Sequence, residues 1–186
     1  MPRQLHLFDK PTRFVVGTVG QPGDRTFYLQ ATDGARTVSV VLEKQQVAVL
    51  ADRVDEILDE AARRGGEDIP EVADSDDLDP LELPLDEEFR VGAMGLAWDA
   101  EAGVVVVEAV AAGEAELDED AIFSESDTAP DALRVRLAPE QARAFAVRAR
   151  SVVGAGRPQC PLCALPLEPT GHICPRQNGY RRSEVT

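Results

Sequence analysis

Apolar and polar positions alternate along the first third of the chain in a way that predicts three strands and then a helix. Arg13 to Gly20 (RFVVGTVG) is β-branched and apolar, and Gln21-Pro22-Gly23-Asp24 close it as a turn. Phe27, Leu29 and Ala31 alternate with Tyr28, Gln30 and Thr32, the two-residue period of a half-buried strand. Asp33-Gly34 predicts a hairpin, because both central turn positions favour positive φ. Val38, Val40 and Leu42 share one face of the next strand. The period then changes: Val47, Leu50, Val54, Ile57, Leu58 and Ala61 form a helical stripe. Arg63 and Arg64 suit the C-terminal end of that helix, and Gly65-Gly66 end it.

The same order recurs further on. Phe89 to Trp98 predicts a strand, Asp99 to Gly103 a turn and Val104 to Val110 another strand. Leu133, Val135 and Leu137 alternate with Arg134 and Arg136. Pro139 fits the first turn of a helix, where its missing N–H costs nothing. Ala142, Phe145, Ala146, Ala149, Val152 and Val153 supply that helix with an apolar face, and Gly154 and Gly156 stop it. Phe14-x-Val16-Gly17-x-x-Gly20 matches Phe89-x-Val91-Gly92-x-x-Gly95, and Val40, Leu42 and Gln46 match Val135, Leu137 and Gln141. The expected fold class is therefore α+β: a duplicated β-β-β-α unit, about 12–66 and 88–154, forming a mostly antiparallel sheet body (1–154) with two packed helices. An acidic linker (67–87) and an acidic insertion (113–132) interrupt it. Residues 155–186 form a separate tail.

Composition sharpens this picture. The 186 residues include 34 acidic and 19 basic side chains, a formal charge of −15, with 44% apolar residues but only 5% aromatic. So acidic a chain does not present its whole surface to nucleic acid or anionic lipid. The imbalance is local, since residues 151–186 carry Arg157, Arg176, Arg181 and Arg182 against Glu168 and Glu184. No run approaches the roughly 20 apolar residues a bilayer span needs, and the N-terminus does not resemble a signal peptide. No membrane insertion is expected, and the cytoplasm is the expected location.

All three cysteines fall in the tail, which reads Cys160-Pro161-Leu162-Cys163 and then Gly171-His172-Ile173-Cys174-Pro175. Clustered cysteines in a chain without an export signal point to metal ligation before disulfides. Cys-x-x-Cys makes a knuckle with both thiolates aimed at one centre. His172 and Cys174, two apart, leave an extended backbone on the same side. Cys160, Cys163, His172 and Cys174 thus form a candidate Cys₃His set for a structural Zn2+ ion. A redox dithiol at Cys160/Cys163 and a chance clustering without metal are the alternatives. The redox pair suits the sequence less well, because a redox Cys-x-x-Cys belongs between a strand and a helix, whereas here it follows a glycine-rich linker. Four protein ligands leave no open position for activating water, so the ion would fold the tail. Arg176, Asn178, Tyr180, Arg181 and Arg182 follow directly, a cationic strip fit to contact a phosphate, an RNA or an acidic protein surface, or else a solvated terminus that docks on the protein's own acidic body.

Other candidates weaken on inspection. Asp74, Asp76, Asp77 and Asp79 lack the glycine and glutamate that a calcium loop requires at its sixth and twelfth positions. The glycine pairs lie within strands, so close packing or bulges explain them better than phosphate cradling. His6 has no partner in the sequence and reads as a surface residue, and Trp98 as a core or turn anchor. Arg134, Arg136, Arg143 and Arg150 are expected to form ion pairs with the many carboxylates. There is no recognisable catalytic signature.

At Cys160-Pro-x-Cys163 and Gly171-His172-x-Cys174-Pro175-Arg176-x-Asn178-Gly179 the chain resembles a family of uncharacterised actinobacterial proteins. Arg13 to Gly20 and Arg25-x-Phe27-Tyr28-Leu29-Gln30-Ala31 carry the resemblance to the N-terminal end. It implies a C-terminal zinc-ribbon-like knuckle and a cytoplasmic location, and supplies no reaction. The leading expectation is a non-catalytic adaptor with a zinc-stapled recognition tail and a protein partner. An enzyme or binder of an anionic small molecule in a cleft between the units, lined by residues such as Arg136 and Gln141, is the second. Nucleic-acid binding through the tail is the third.

Overall fold

A computed structural model describes residues 3–65, 69–71, 77–113, 122–156, 160–163, 167 and 174. Among these residues seven strands run in chain order: β1 Leu5–Asp9, β2 Arg13–Gln21, β3 Asp24–Asp33, β4 Arg36–Leu42, β5 Glu87–Asp99, β6 Val104–Ala111 and β7 Ala132–Leu137. Helix α1 (Lys44–Gly65) follows β4, and helix α2 (Pro139–Gly154) follows β7. The fold is mixed α+β, with all seven strands in one sheet ordered β1-β7-β6-β5-β4-β3-β2. Neighbours are antiparallel except β1 with β7 and β4 with β5. Four strands precede α1 and three precede α2, β1 lies beside β7, and the two runs of strands meet where β4 pairs β5.

One face of the sheet carries the helices. Phe14 and Val16, Leu29 and Ala31, Val38 and Val40, Val105 and Val107, and Leu133 and Val135 share a single core with Val47, Leu50, Val54 and Leu58 of α1 and Ala142, Phe145, Ala146 and Ala149 of α2. The period-2 and helical stripes of the sequence therefore converge on one layer. Phe14 and Phe145 anchor it, their ring centroids 4.7 Å apart.

β5 shows how a local irregularity serves that layer. Its register shifts between Val91 and Ala93, a β-bulge at Gly92. The extra residue switches side-chain parity, so Phe89 and Val91 before it and Met94, Leu96 and Trp98 after it all pack on the helix side. A Cβ at Gly92 would lie 2.7 Å from the Ala112 Cα, a main-chain atom that cannot step aside. Gly92→Ala is expected to cost about 1–3 kcal/mol, read as a lower urea midpoint with unchanged m-value.

Parts of the described acidic segments pack on the opposite face, although much of their length is exposed, Leu78 and Leu83 among it. Leu81 sits over Gly17, where a Cβ would approach its Cγ to 2.6 Å. Gln30, fully buried, accepts the Glu82 N–H at 2.8 Å and donates to the Glu82 carbonyl at 3.1 Å. Phe123 sits likewise over Gly95, 2.8 Å from where a Cβ would stand. The four glycines of the repeated motif thus play different parts: Gly17 and Gly95 receive a covering side chain, Gly92 forms a bulge, and Gly20 takes the positive φ (106°) before the β2–β3 turn.

Arginines tie these elements together. Arg148 of α2 reaches past the free edge of β2, its Nε donating to Val16 O at 3.0 Å and its Nη2 to Asp79 O at 2.8 Å. Arg13 holds the Asp77 carboxylate through Nε (2.6 Å) and Nη2 (2.9 Å). At the other edge, Arg36 donates to Leu7 O at 3.0 Å and stacks on Phe8. Occupying outward carbonyls on both edge strands blunts edge-to-edge pairing. The four arginines expected in ion pairs are found there: Arg134 with Glu108, Arg136 with Asp99, Arg143 with Asp55 and Asp59, and Arg150 with Asp52.

The Arg13 hydrogen bond, opposed by burial, holds the Asp77 carboxyl below the usual carboxylate range. A depressed folded value means stability is present at neutral pH and is lost as pH falls through that value, below about 4. Protection factors of the 77–82 amides, exchange rates corrected for the intrinsic pH dependence, should therefore fall below about pH 4 in the native chain. Asp77→Asn should remove most of that pH dependence.

Candidate metal centre

The chain leaves α2 at Gly154 and makes a turn over residues 161–163. That turn folds the Cys-x-x-Cys segment back on itself. The Sγ atoms of Cys160, Cys163 and Cys174 all lie within 4.8 Å of one another. Cys160 and Cys174 are 6% and 3% exposed, and Cys163 is half-buried. The Leu162 N–H points at the Cys160 sulfur and holds that thiol below the usual cysteine value, against burial, which raises it. The Cys163 N–H and the two neighbouring thiols act in the same direction as the Leu162 N–H. Main-chain N–H groups aimed at a sulfur are what the knuckle reading expects of a site built for thiolate.

The spacing fits a metal better than a disulfide. A disulfide requires an S–S distance of about 2.05 Å, whereas Cys160 Sγ and Cys174 Sγ stand 3.9 Å apart. Two thiolates at about 2.3 Å from a tetrahedral ion lie roughly 3.8 Å apart, the edge of the tetrahedron. Three soft donors, two of them buried, could hold one metal ion. The fourth predicted ligand, His172, and the strip Arg176, Asn178, Tyr180, Arg181 and Arg182 lie outside the described residues.

A family model described as a protein of unknown function (DUF3090) matches residues 6–174. The chain belongs to that family. The DUF3090 match runs from β1 to Cys174 and takes in all three cysteines. No curated protein and no solved structure matches the chain.

The remaining candidates lie in the sheet-and-helix body. Arg136 and Gln141, expected to line one cleft, are brought to different cavities. Arg136 shares a cavity of about 300 Å³ with Leu7, Phe8, Asp9 and Arg134. Gln141 borders one of about 170 Å³ with Arg13, Phe145 and Arg148. The physical reason is that each is committed elsewhere: Arg136 to Asp99 at 2.7 Å, and Gln141 to Pro11 O at 2.8 Å. His6 is more enclosed than its surface assignment implied, with a side chain 15% exposed and Nε2 3.9 Å from Glu88. Of the acidic run, Asp77 is engaged by Arg13 and Arg148, while Asp74 and Asp76 lie outside the described residues.

Sequence reasoning passed over Glu108. It is fully buried in β6, between Arg3 (3.2 Å) and Arg134 (2.6 Å). The signal was present: a single carboxylate inside Val104–Ala111, an otherwise apolar run that both flanking strands bury.

Proposed function

We propose that this chain is a non-catalytic, metal-stapled interaction protein that binds one structural Zn2+ through Cys160, Cys163 and Cys174, with His172 as the fourth ligand. The convergence of three cysteine sulfurs within 4.8 Å carries the reading. A Cys₃His set is closed, so the ion shapes the tail and does not activate water. The recognition element is the cationic strip that follows Cys174: Arg176, Asn178, Tyr180, Arg181 and Arg182. Its partner is an acidic surface, a protein in the leading reading and a nucleic-acid phosphate in the alternative. The cytoplasm, which keeps thiols reduced, suits such a site. No described helix is long and apolar enough to cross a membrane.

The body is the platform for this tail, and we read it as a duplicated unit. In its support, Gln46 and Gln141 occupy the same position in the first turns of α1 and α2. Each donates to a main-chain carbonyl of the sheet region, Val91 O at 3.2 Å and Pro11 O at 2.8 Å.

Affinity capture tests the recognition role. Intact chain and the Cys160→Ser/Cys163→Ser double variant, compared from the same lysate, should retain different partners. Identical partner sets would remove the tail from recognition.

A further inference from the structure

The three sulfurs differ in their access to solvent. Cys160 and Cys174 are buried, while Cys163 is the half-buried member of the triad. All three lie within 4.8 Å, so a short movement brings a neighbouring sulfur to bonding distance of Cys163. Thiolates are nucleophiles, and oxidation selects the accessible ones.

We propose that the centre is a peroxide-sensitive switch in which Cys163 is the point of entry and oxidation ejects the metal. The inference rests on the metal-binding reading above. The Cys163 thiolate attacks hydrogen peroxide, forming an S–O bond and breaking the O–O bond, and hydroxide leaves. The Cys160 thiolate, from the same turn, then attacks the Cys163 sulfur. An S–S bond forms, the S–O bond breaks, and a second hydroxide leaves. Two solvent protons convert both hydroxides to water. The two thiolates have lost two electrons, and the peroxide has gained them. A disulfide sulfur is a poor ligand, so the ion is left with half of its proposed donors and dissociates. The link between the 160–163 turn and Cys174 through the ion goes with it.

The test uses the reduced full chain, its metal content quantified before any peroxide is added. Hydrogen peroxide is then titrated in while a chromogenic chelator reads metal release and peptide mass mapping reads the thiols. The expected result is loss of the metal in step with a disulfide that contains Cys163. A phosphine reductant with added zinc should reverse it. Metal retained while peroxide is consumed elsewhere, for example at Met94, overturns the switch. So does a Cys160–Cys174 disulfide with Cys163 still open to alkylation. Absence of metal before peroxide overturns the metal reading itself and the switch with it, a failure distinct from the other two.

Discussion

Cys174→Ser is expected to lose stoichiometric metal while the body stays folded. Cys174 is buried, and its sulfur stands 3.9 Å from that of Cys160, fourteen positions earlier. Serine offers a hydroxyl that stays protonated near neutral pH and is a poor ligand for a soft-to-borderline ion. Altering partners that only support a ligand already weakens metal sites by about 10–100-fold. Removing a ligand should exceed that, so the affinity is expected to fall by more than about 100-fold. No cysteine belongs to the core shared by the sheet and the two helices. The main unfolding transition should therefore be unchanged, and metal content and stability should separate in this variant. A competition titration against a chelator reads the first, and circular dichroism on heating reads the second. Loss of both together would place the cysteines in the core of the body.

Glu108→Ala should have the opposite signature, a large loss of stability with metal binding retained. The carboxylate is fully buried and neutralises Arg3 and Arg134, whose side chains are 5% and 16% exposed. Arg3 also donates to the Ser124 carbonyl, and Arg134 to the Phe123 carbonyl at 3.2 Å. The trio thereby pins the segment that carries Phe123 over Gly95. Truncation leaves two largely buried cations short of a counter-charge, and removing one member of such a network costs about 3–5 kcal/mol. Glu108→Gln keeps an acceptor and the volume but not the charge, and should lose less, about 1–3 kcal/mol. Urea unfolding followed by tryptophan fluorescence measures both, since Trp98 packs against the core. A cost below about 1 kcal/mol for Glu108→Ala would show the network to be dispensable.

Much of the secondary structure was legible because two periods are strong in this chain. Phe27, Leu29 and Ala31 announce a strand, and Val47, Leu50, Val54 and Leu58 a helix, from spacing alone, and the structure places them so. β1 was not legible. Its five residues, LHLFD, carry little alternation, and their parallel pairing to β7 joins positions far apart in sequence. Such a contact is decided by tertiary structure rather than local propensity. The covering segments were hidden for another reason. Their acidic composition reads as solvated, yet Leu81 and Phe123 find room only because Gly17 and Gly95 lack side chains. A glycine inside a strand was the available sign that something packs close.

The candidate metal centre was legible through spacing, since Cys-x-x-Cys and a later cysteine suit ligation of one metal ion. Sequence could not rank the cysteines by access, because burial depends on how the turn over 161–163 sits. Nor could it show that Arg136 and Gln141 face different cavities, as each is held by a partner remote in sequence.

Native mass spectrometry of the full chain, purified under reducing conditions without added chelator, bears most directly on the three converging sulfurs. One zinc ion per chain is expected, released on denaturation and absent from Cys174→Ser. A chain that carries no metal as purified, and takes up none when zinc is supplied, would contradict the account.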